Sequence, residues 1–411
     1  MVFSQIQRSW TYLLFACVYA IFIIIIILLC VKNNSFKMSI QTPAKEPLLS
    51  RMKHEMKPSC PNVLDNMVVG RWVQDRPNQT EMAAVVEFNR IIQAVHGIPQ
   101  TLQRKDKRCG NVNMVGTGKR GVIPFRALCD PNGSTPCCFE NKCVFKDIEQ
   151  CRCKGCYDLR QKLHAELSTW IPANQSCKIT TFVGEEDACY VLSDLTIYFI
   201  GDSFMEQLYN ALLTIVRRNK VYGPLRKETA EDIVKRCHRH HALTNPCLPY
   251  IDVSPNECNN TTLLRKTGQW KSAFINEILT HVKSLQRQRD SIVILGIGFH
   301  DNFDVSVIEN KVLKPLLLIL AETPWPKLIW LSTHSPGLML SPNYRPRQSE
   351  HVVRYNLKVN DILRRRGISV LDFFEMTKSV MSVDGAHYGL ALNDLKAQVL
   401  LNYILEMRTS A

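Results

Sequence analysis

Acidic residues are in deficit in this sequence, and the common nucleotide signatures are missing. The 411 residues include 51 Lys and Arg against 37 Asp and Glu, a formal net charge of +14. No Walker phosphate loop and no Rossmann fingerprint occur, so neither a nucleotide cofactor nor any other cofactor is called for. A second membrane-length apolar run is also missing. The one apolar run present lacks a small-x-small cleavage site at its end, which argues against a removable signal peptide.

That run is Trp10 to Val31, flanked by Arg8 and Lys32. Its length suits a membrane-spanning helix. Lys32, Lys37 and Lys45 follow it, and a positive-inside count alone would put the C-terminal side in the cytosol. The cysteines argue the other way. Of 16, Cys17 and Cys30 lie in the apolar run and 14 lie beyond it in clustered spacings, the pattern of a disulfide framework in an oxidising compartment. Sequons at Asn33, Asn78, Asn132, Asn174, Asn259 and Asn260 agree, although Asn33 is too near the membrane to be used. The expected arrangement is a single-pass type II membrane protein of the Golgi or another secretory membrane. Residues 1–9 would be cytoplasmic and 10–31 the anchor. Residues 32–58 would form a stem, 59–190 a Cys-rich lumenal region and 191–411 a second lumenal domain. For a lumenal protein the positive charge points to acidic glycans or membrane surfaces, not to nucleic acid.

The stretch Leu195 to Ile200 is apolar, β-branched and aromatic, and it stops at Gly201-Asp202-Ser203. It reads as a buried strand. Phe204 to Arg217 then carries Met205, Leu208, Leu212, Ile215 and Val216 at helical spacing. Ser203 therefore falls on a strand-to-helix turn, where it serves either as part of a helix cap or as a nucleophile beside oxyanion-binding N–H groups. Further on, helix-like segments (Trp270–Gln288, Val305–Leu320, His351–Arg366, Leu390–Met407) alternate with strand-like ones (Ile292–Leu295, Leu328–Leu331, Ile368–Leu371). Such alternation predicts an α/β fold, a mostly parallel sheet with helices on both faces and ligands at the carboxyl ends of the strands. Ser203, the Gly298–Asn302 loop, His334 and Asp372 all fall at those ends, with Asp372 reading as a cap.

Near the C-terminus stands Asp384-Gly385-Ala386-His387. A serine that transfers acyl groups needs a base and a carboxylate to orient it, and an Asp three residues before a His reaches the imidazole from the same turn. With Gly-Asp-Ser early and Asp-x-x-His late, the chain resembles the SGNH (GDSL-type) hydrolases. Within them it is similar to the PC-esterase-like branch of trichome-birefringence-like proteins, sialic-acid O-acetyltransferases and neurexophilin/PC-esterase proteins. The resemblance covers roughly residues 190–411. It implies an SGNH-type three-layer fold, Ser203 as nucleophile, His387 as base, Asp384 as its orienting carboxylate, and O-acyl, above all O-acetyl, esters of glycans as substrate. It also implies an oxyanion hole from the serine N–H, a glycine N–H and an asparagine. At the asparagine's spacing, Gly298-Phe299-His300, this chain has His300, with Asn302 nearby. Gly223 is the nearest candidate for the glycine. Relatives in this branch usually read Gly-Asp-Ser-x-x-Arg, and here that position is Glu206. The departure motivates an alternative, a catalytically silent glycan-binding or adhesion-like module.

Three features remain. His334 follows a strand end and reads as a pocket residue or a structural neighbour. Cys129, Cys137, Cys138, Cys143, Cys151, Cys153 and Cys156 crowd among turn residues. Cys153-Lys154-Gly155-Cys156 invites a redox or zinc reading, while a disulfide-stapled module suits the lumen better, so no metal is called for. An odd seven requires one partner outside the cluster, with Cys109, Cys177 and Cys189 available. Last, the tract Arg217, Arg218, Lys220, Arg226, Lys227, Lys235, Arg236 and Arg239, with His238, His240 and His241, reads as a solvated basic face.

Overall fold

Turn residues and cysteines dominate the first part of the ordered chain, and it folds as short antiparallel pairs stapled by disulfides. The computed structural model describes residues 60–118, 121–237 and 246–410. The anchor, the tail, the stem and Asn33 lie outside the described residues, as do His238, His240 and His241. Among the described residues no helix is long and apolar enough to cross a membrane. Strand β1 (Gly70–Gln74) pairs with β6 (Ser168–Pro172), β2 (Asn113–Gly118) with β3 (Gly121–Arg126), and β4 (Cys137–Phe139) with β5 (Lys142–Val144). Helix α1 (Gln79–Val95) starts at a reciprocal cap: Asn78 Oδ1 accepts from Glu81 N and the Glu81 carboxylate accepts from Asn78 N.

All 14 cysteines beyond the apolar run are paired: Cys60–Cys177, Cys109–Cys138, Cys129–Cys143, Cys137–Cys151, Cys153–Cys156, Cys189–Cys258 and Cys237–Cys247. The odd cysteine of the cluster is thus Cys138, joined to Cys109. Sulfurs that lie close enough to share a metal, in the groups Cys109/Cys129/Cys138 and Cys137/Cys151/Cys156, all belong to these disulfides. They offer no thiolate to an ion.

The second part is a six-stranded sheet in the order β12–β11–β10–β7–β9–β8. Its strands are β7 (Thr196–Gly201), β8 (Asn256–Glu257), β9 (Thr262–Thr267), β10 (Ser291–Gly296), β11 (Lys327–Leu331) and β12 (Ser369–Leu371). All pairings are parallel except the edge pair β8–β9. Strand β7 lies inside the sheet and both of its faces are covered, which is why its sequence is apolar throughout instead of alternating. Ile197 and Phe199 face one core, shared with α2 (Glu185–Leu192), α3 (Ser203–Val216) and α7 (Leu390–Thr409). Tyr198 and Ile200 face the other, shared with α4 (Ile275–Leu285), α5 (Lys314–Ala321) and α6 (Ser349–Arg364). The expected layering of helices over both faces of a mostly parallel sheet is present.

Strand β9 does not stand out in the sequence, because Thr262-Leu-Leu-Arg-Lys-Thr267 is half polar. Its neighbour β8 covers one side, and the polar side chains serve local needs: Thr262 Oγ1 donates to the Leu192 carbonyl. Arg218, Lys220, Arg226, Lys227, Lys235 and Arg236 of the basic tract are exposed, as expected of a solvated face, and Arg217 is the exception. Arg217 is not on a solvated face but largely buried, bound to Asp252 at 2.5 Å and Glu257 at 2.6 Å and donating to the Gly223 and Leu225 carbonyls. Lys235 and Arg236 pair with Glu231 and Asp232 one turn earlier. Gly223 belongs to this buried corner past the end of α3. That helix is about 20 Å long at 1.5 Å per residue, so Gly223 stands at the far end from Ser203.

Candidate active site

Three segments far apart in sequence meet at the carboxyl ends of the strands. The register explains how. Gly201 of β7 lies opposite Gly296 of β10, and a Cβ at Gly201 would stand 2.4 Å from the Gly296 carbonyl oxygen. Only glycine fits there, so the chain can turn sharply from β7 into α3. Asp202 caps the helix, its Oδ1 accepting from Phe204 N at 3.0 Å. Burial pushes its carboxyl up to about 7. Ser203 is the first residue of α3, and a backbone N–H there has no intrahelical acceptor.

His387 arrives from the turn before α7. Its Nε2 lies 2.7 Å from Ser203 Oγ and its Nδ1 lies 2.7 Å from Asp384 Oδ2. The other oxygen, Asp384 Oδ1, accepts from Ala386 N at 2.9 Å and His387 N at 2.8 Å. Both oxygens of Asp384 thus shape one tight turn, with Gly385 at φ 92° in its middle. Burial works against charge on Asp384, but the adjacent imidazole and its hydrogen bond outweigh it and hold the carboxyl well below the usual range. Burial likewise pulls His387 down, and the Asp384 carboxylate outweighs it, so the net shift of the imidazole is upward.

The other expected residues fall around this centre in different ways. Gly298 has φ 137°, and a Cβ on it would stand 2.5 Å from Tyr355 Oη, so the loop after β10 requires glycine. His300 is exposed and rests edge-on against Trp270, ring centres 4.5 Å apart. Partial cover of the ring, then Arg347, lowers its pKa. Asn302 is exposed in a left-handed conformation at the end of the same turn. His334 is buried, with its ring 3.9 Å from that of Phe204 and its Nε2 2.7 Å from the Ala386 carbonyl oxygen. Asp372 caps the next segment, accepting from Phe374 N and from Asn360 Nδ2. Glu206, one turn into α3, is paired with Lys266 of β9 at 3.0 Å. The charge of the Glu206 carboxylate is therefore offset by the neighbouring strand, while its Oε1 is buried with no hydrogen-bond partner. The sequons of Asn78, Asn132, Asn259 and Asn260 are exposed, while Asn174 is half-buried and bonded to Ser176 and Asn66.

Sequence reasoning missed several neighbours. Gly268 directly follows β9, whose Thr267 lies opposite Ile200, so it ends the strand beside Gly201 and leaves open space where a side chain would be. Locating it requires the strand that the pattern hid. His96 ends α1 and brings the Cys-rich part to the site: its Nδ1 is 3.6 Å from Asp384 Oδ2 and its ring stacks on that of His387. Arg347 sits over the Phe299 ring at 4.0 Å; its Nε is buried without an acceptor, and it forms no ion pair among the described residues. Phe204, Phe299, Pro336 and Ala386 line a cleft with it, of about 10 Å³, room for one water- or methyl-sized group.

No family model and no curated protein matches the chain. Among solved structures, a carbohydrate acetylesterase from Sinorhizobium meliloti is similar over 52% of this chain and 99% of that one, at 13% identity and a TM-score of 0.30.

Proposed function

We propose that this chain is a serine-dependent O-acyl esterase or O-acyltransferase whose substrate is an acylated carbohydrate. The observation that carries it is the unbroken hydrogen-bonded line from Ser203 Oγ through the His387 imidazole to Asp384. In this reading Ser203 Oγ attacks the acyl carbonyl while His387 Nε2 takes its proton. Asp384 keeps the proton on Nδ1 and stabilises the imidazolium. As the tetrahedral intermediate collapses, His387 returns the proton to the departing sugar oxygen and an acyl-serine remains. A water or a second sugar hydroxyl, deprotonated by His387, then releases the acyl group. Water gives an esterase and a sugar hydroxyl a transferase.

The Ser203 N–H and the Gly268 N–H are the proposed oxyanion donors, with His300 at the mouth. The cleft against Phe204, next in sequence to Ser203, is small and suits an acyl group such as acetyl. The carbohydrate class rests on the likeness of the motifs to the PC-esterase-like branch. Arg347, a cation beside the cleft that forms no ion pair among the described residues, favours an acidic glycan. The Glu206–Lys266 pair weakens the case for a silent module, because the lysine offsets the charge of that carboxylate. We further propose a secretory-pathway membrane, with Trp10–Val31 as the anchor and the catalytic part lumenal; the seven disulfides support an oxidising compartment.

A fluorophosphonate probe tests the reading without knowledge of the substrate. The wild type should label at Ser203 and Ser203→Ala should not. Equal turnover of acetyl esters by Ser203→Ala would remove the serine mechanism.

A further inference from the structure

Next to the triad lies a buried lysine that the mechanism above does not use. Lys396, on α7, and His334 are 5% and 4% exposed. No carboxylate pairs with Lys396 among the described residues. Its Nζ stands 3.2 Å from His334 Nδ1 and 3.5 Å from Asn393 Oδ1, over the rings of Tyr388 and Phe373 at 5.5 and 5.9 Å. Burying a lysine with no counter-ion costs stability, and two aromatic faces offset only part of it. A leucine or methionine would fill the site more stably, so a role other than packing is called for.

The hydrogen bonds define that role. His334 Nε2 lies 2.7 Å from the carbonyl oxygen of Ala386, whose peptide leads into His387. A carbonyl can only accept, so Nε2 carries the proton. Burial, with Lys396 beside it, holds the ring far below its usual pKa and therefore neutral. Nδ1 then bears a lone pair, and Lys396 must donate to it. Burial pushes Lys396 down to about 7, and the amine keeps an N–H to donate in either form.

We propose that Lys396 and His334 form a positioning pair for the catalytic histidine: Lys396 fixes the tautomer of His334, and His334 Nε2–H pins the Ala386 carbonyl so that the His387 ring stands on Ser203 Oγ. Ala386 is then held at both ends, its N–H by Asp384 and its C=O by His334. Neither member of the pair touches a reacting atom. The proposal rests on the serine reading above, since it acts through His387.

The test compares the full chain, as purified from a secretory host, with Lys396→Met, His334→Leu and His334→Gln. The measurements are the second-order rate of fluorophosphonate labelling at Ser203 and the melting midpoint. Lys396→Met removes a buried amine that has no counter-ion but leaves His334 Nδ1 without a donor, so it should melt close to the wild type, yet label about 10- to 100-fold more slowly. His334→Leu should label at least as slowly. His334→Gln can accept from Lys396 and donate to Ala386, and it should recover most of the rate lost in His334→Leu. With an acetyl ester, the fall should lie in kcat, with KM within about twofold. Lys396→Met labelling at the wild-type rate, or melting well below the wild type, overturns the proposal. So does a folded His334→Gln that is as slow as His334→Leu. If His334→Leu does not fold, Lys396→Met decides alone. A wild type that does not label at Ser203 sinks the serine reading and this pair with it; a labelling wild type with an equally fast Lys396→Met sinks the pair only.

Discussion

Asp384 and His387 show how a few ångströms set a proton's place. The imidazole is raised above its ordinary value because the carboxylate 2.7 Å away outweighs the cost of burial. A base that binds its proton more tightly is free to act only at higher pH. Labelling and turnover should therefore rise with pH through an inflection above about 6.5, the ordinary histidine value. Asp384→Asn removes the main raising cause, so the inflection should move down in pH while the plateau rate falls about a thousandfold or more. An unmoved inflection would show that Asp384 does not govern this base. Arg347 carries the second residue-scale expectation. Arg347→Ala should raise KM for acetyl esters of acidic sugars about tenfold and leave neutral esters within about twofold. Equal effects on both would remove the acidic-glycan reading.

At the scale of elements, the site depends on sharp exits from two adjacent strands. Gly201 ends β7 and Gly298 follows β10, and neither tolerates a side chain. A Cβ at Gly298 would meet Tyr355 Oη at 2.5 Å in a backbone with φ 137°. Tyr355 is tied down, donating to the Ile297 carbonyl at 2.7 Å, so it cannot move aside cheaply. Gly298→Ala should destabilise by about 2 kcal/mol or more, seen as a lower melting midpoint, and should slow labelling as the loop shifts. The helices and most strands of the sheet follow the apolar pattern of the sequence closely. Strand β9 does not, because edge partner β8 and local hydrogen bonds accommodate its Thr, Arg and Lys. With β9 hidden, the pattern does not point to Gly268, the glycine proposed as an oxyanion donor, and Gly223 is the nearest candidate it offers.

Over the whole molecule, the Cys-rich part and the sheet share one core. Cys60, Val63 and Met67 pack in the same cluster as α7, and Cys60–Cys177 closes a separation of 117 residues. Replacing both cysteines by serine should cost about 4 kcal/mol through the freed loop of the unfolded chain, with secretion falling accordingly. The placement in a secretory membrane has its own check. Protein made in cells should shift in mobility on glycosidase digestion through Asn78, Asn132, Asn259 or Asn260, and its C-terminal part should resist protease in sealed microsomes. An unshifted, protease-sensitive protein would reverse the orientation.

Gly201-Asp202-Ser203 and Asp384-x-x-His387 were legible in the sequence because each is a local arrangement. A strand period of two, a helix period of 3.6 and a four-residue turn are written within a few positions, so the turn that carries Ser203 and the reach of Asp384 to its histidine follow from spacing. Contacts set by chain crossings were not legible. That Cys138 joins Cys109, that Lys266 pairs with Glu206, that Arg217 is a buried strut, and that His96, His334, Lys396 and Arg347 gather round His387 depend on which strands lie side by side. That order is settled by the burial of many side chains at once. No single segment records it, and only the tertiary structure brings those groups to one place.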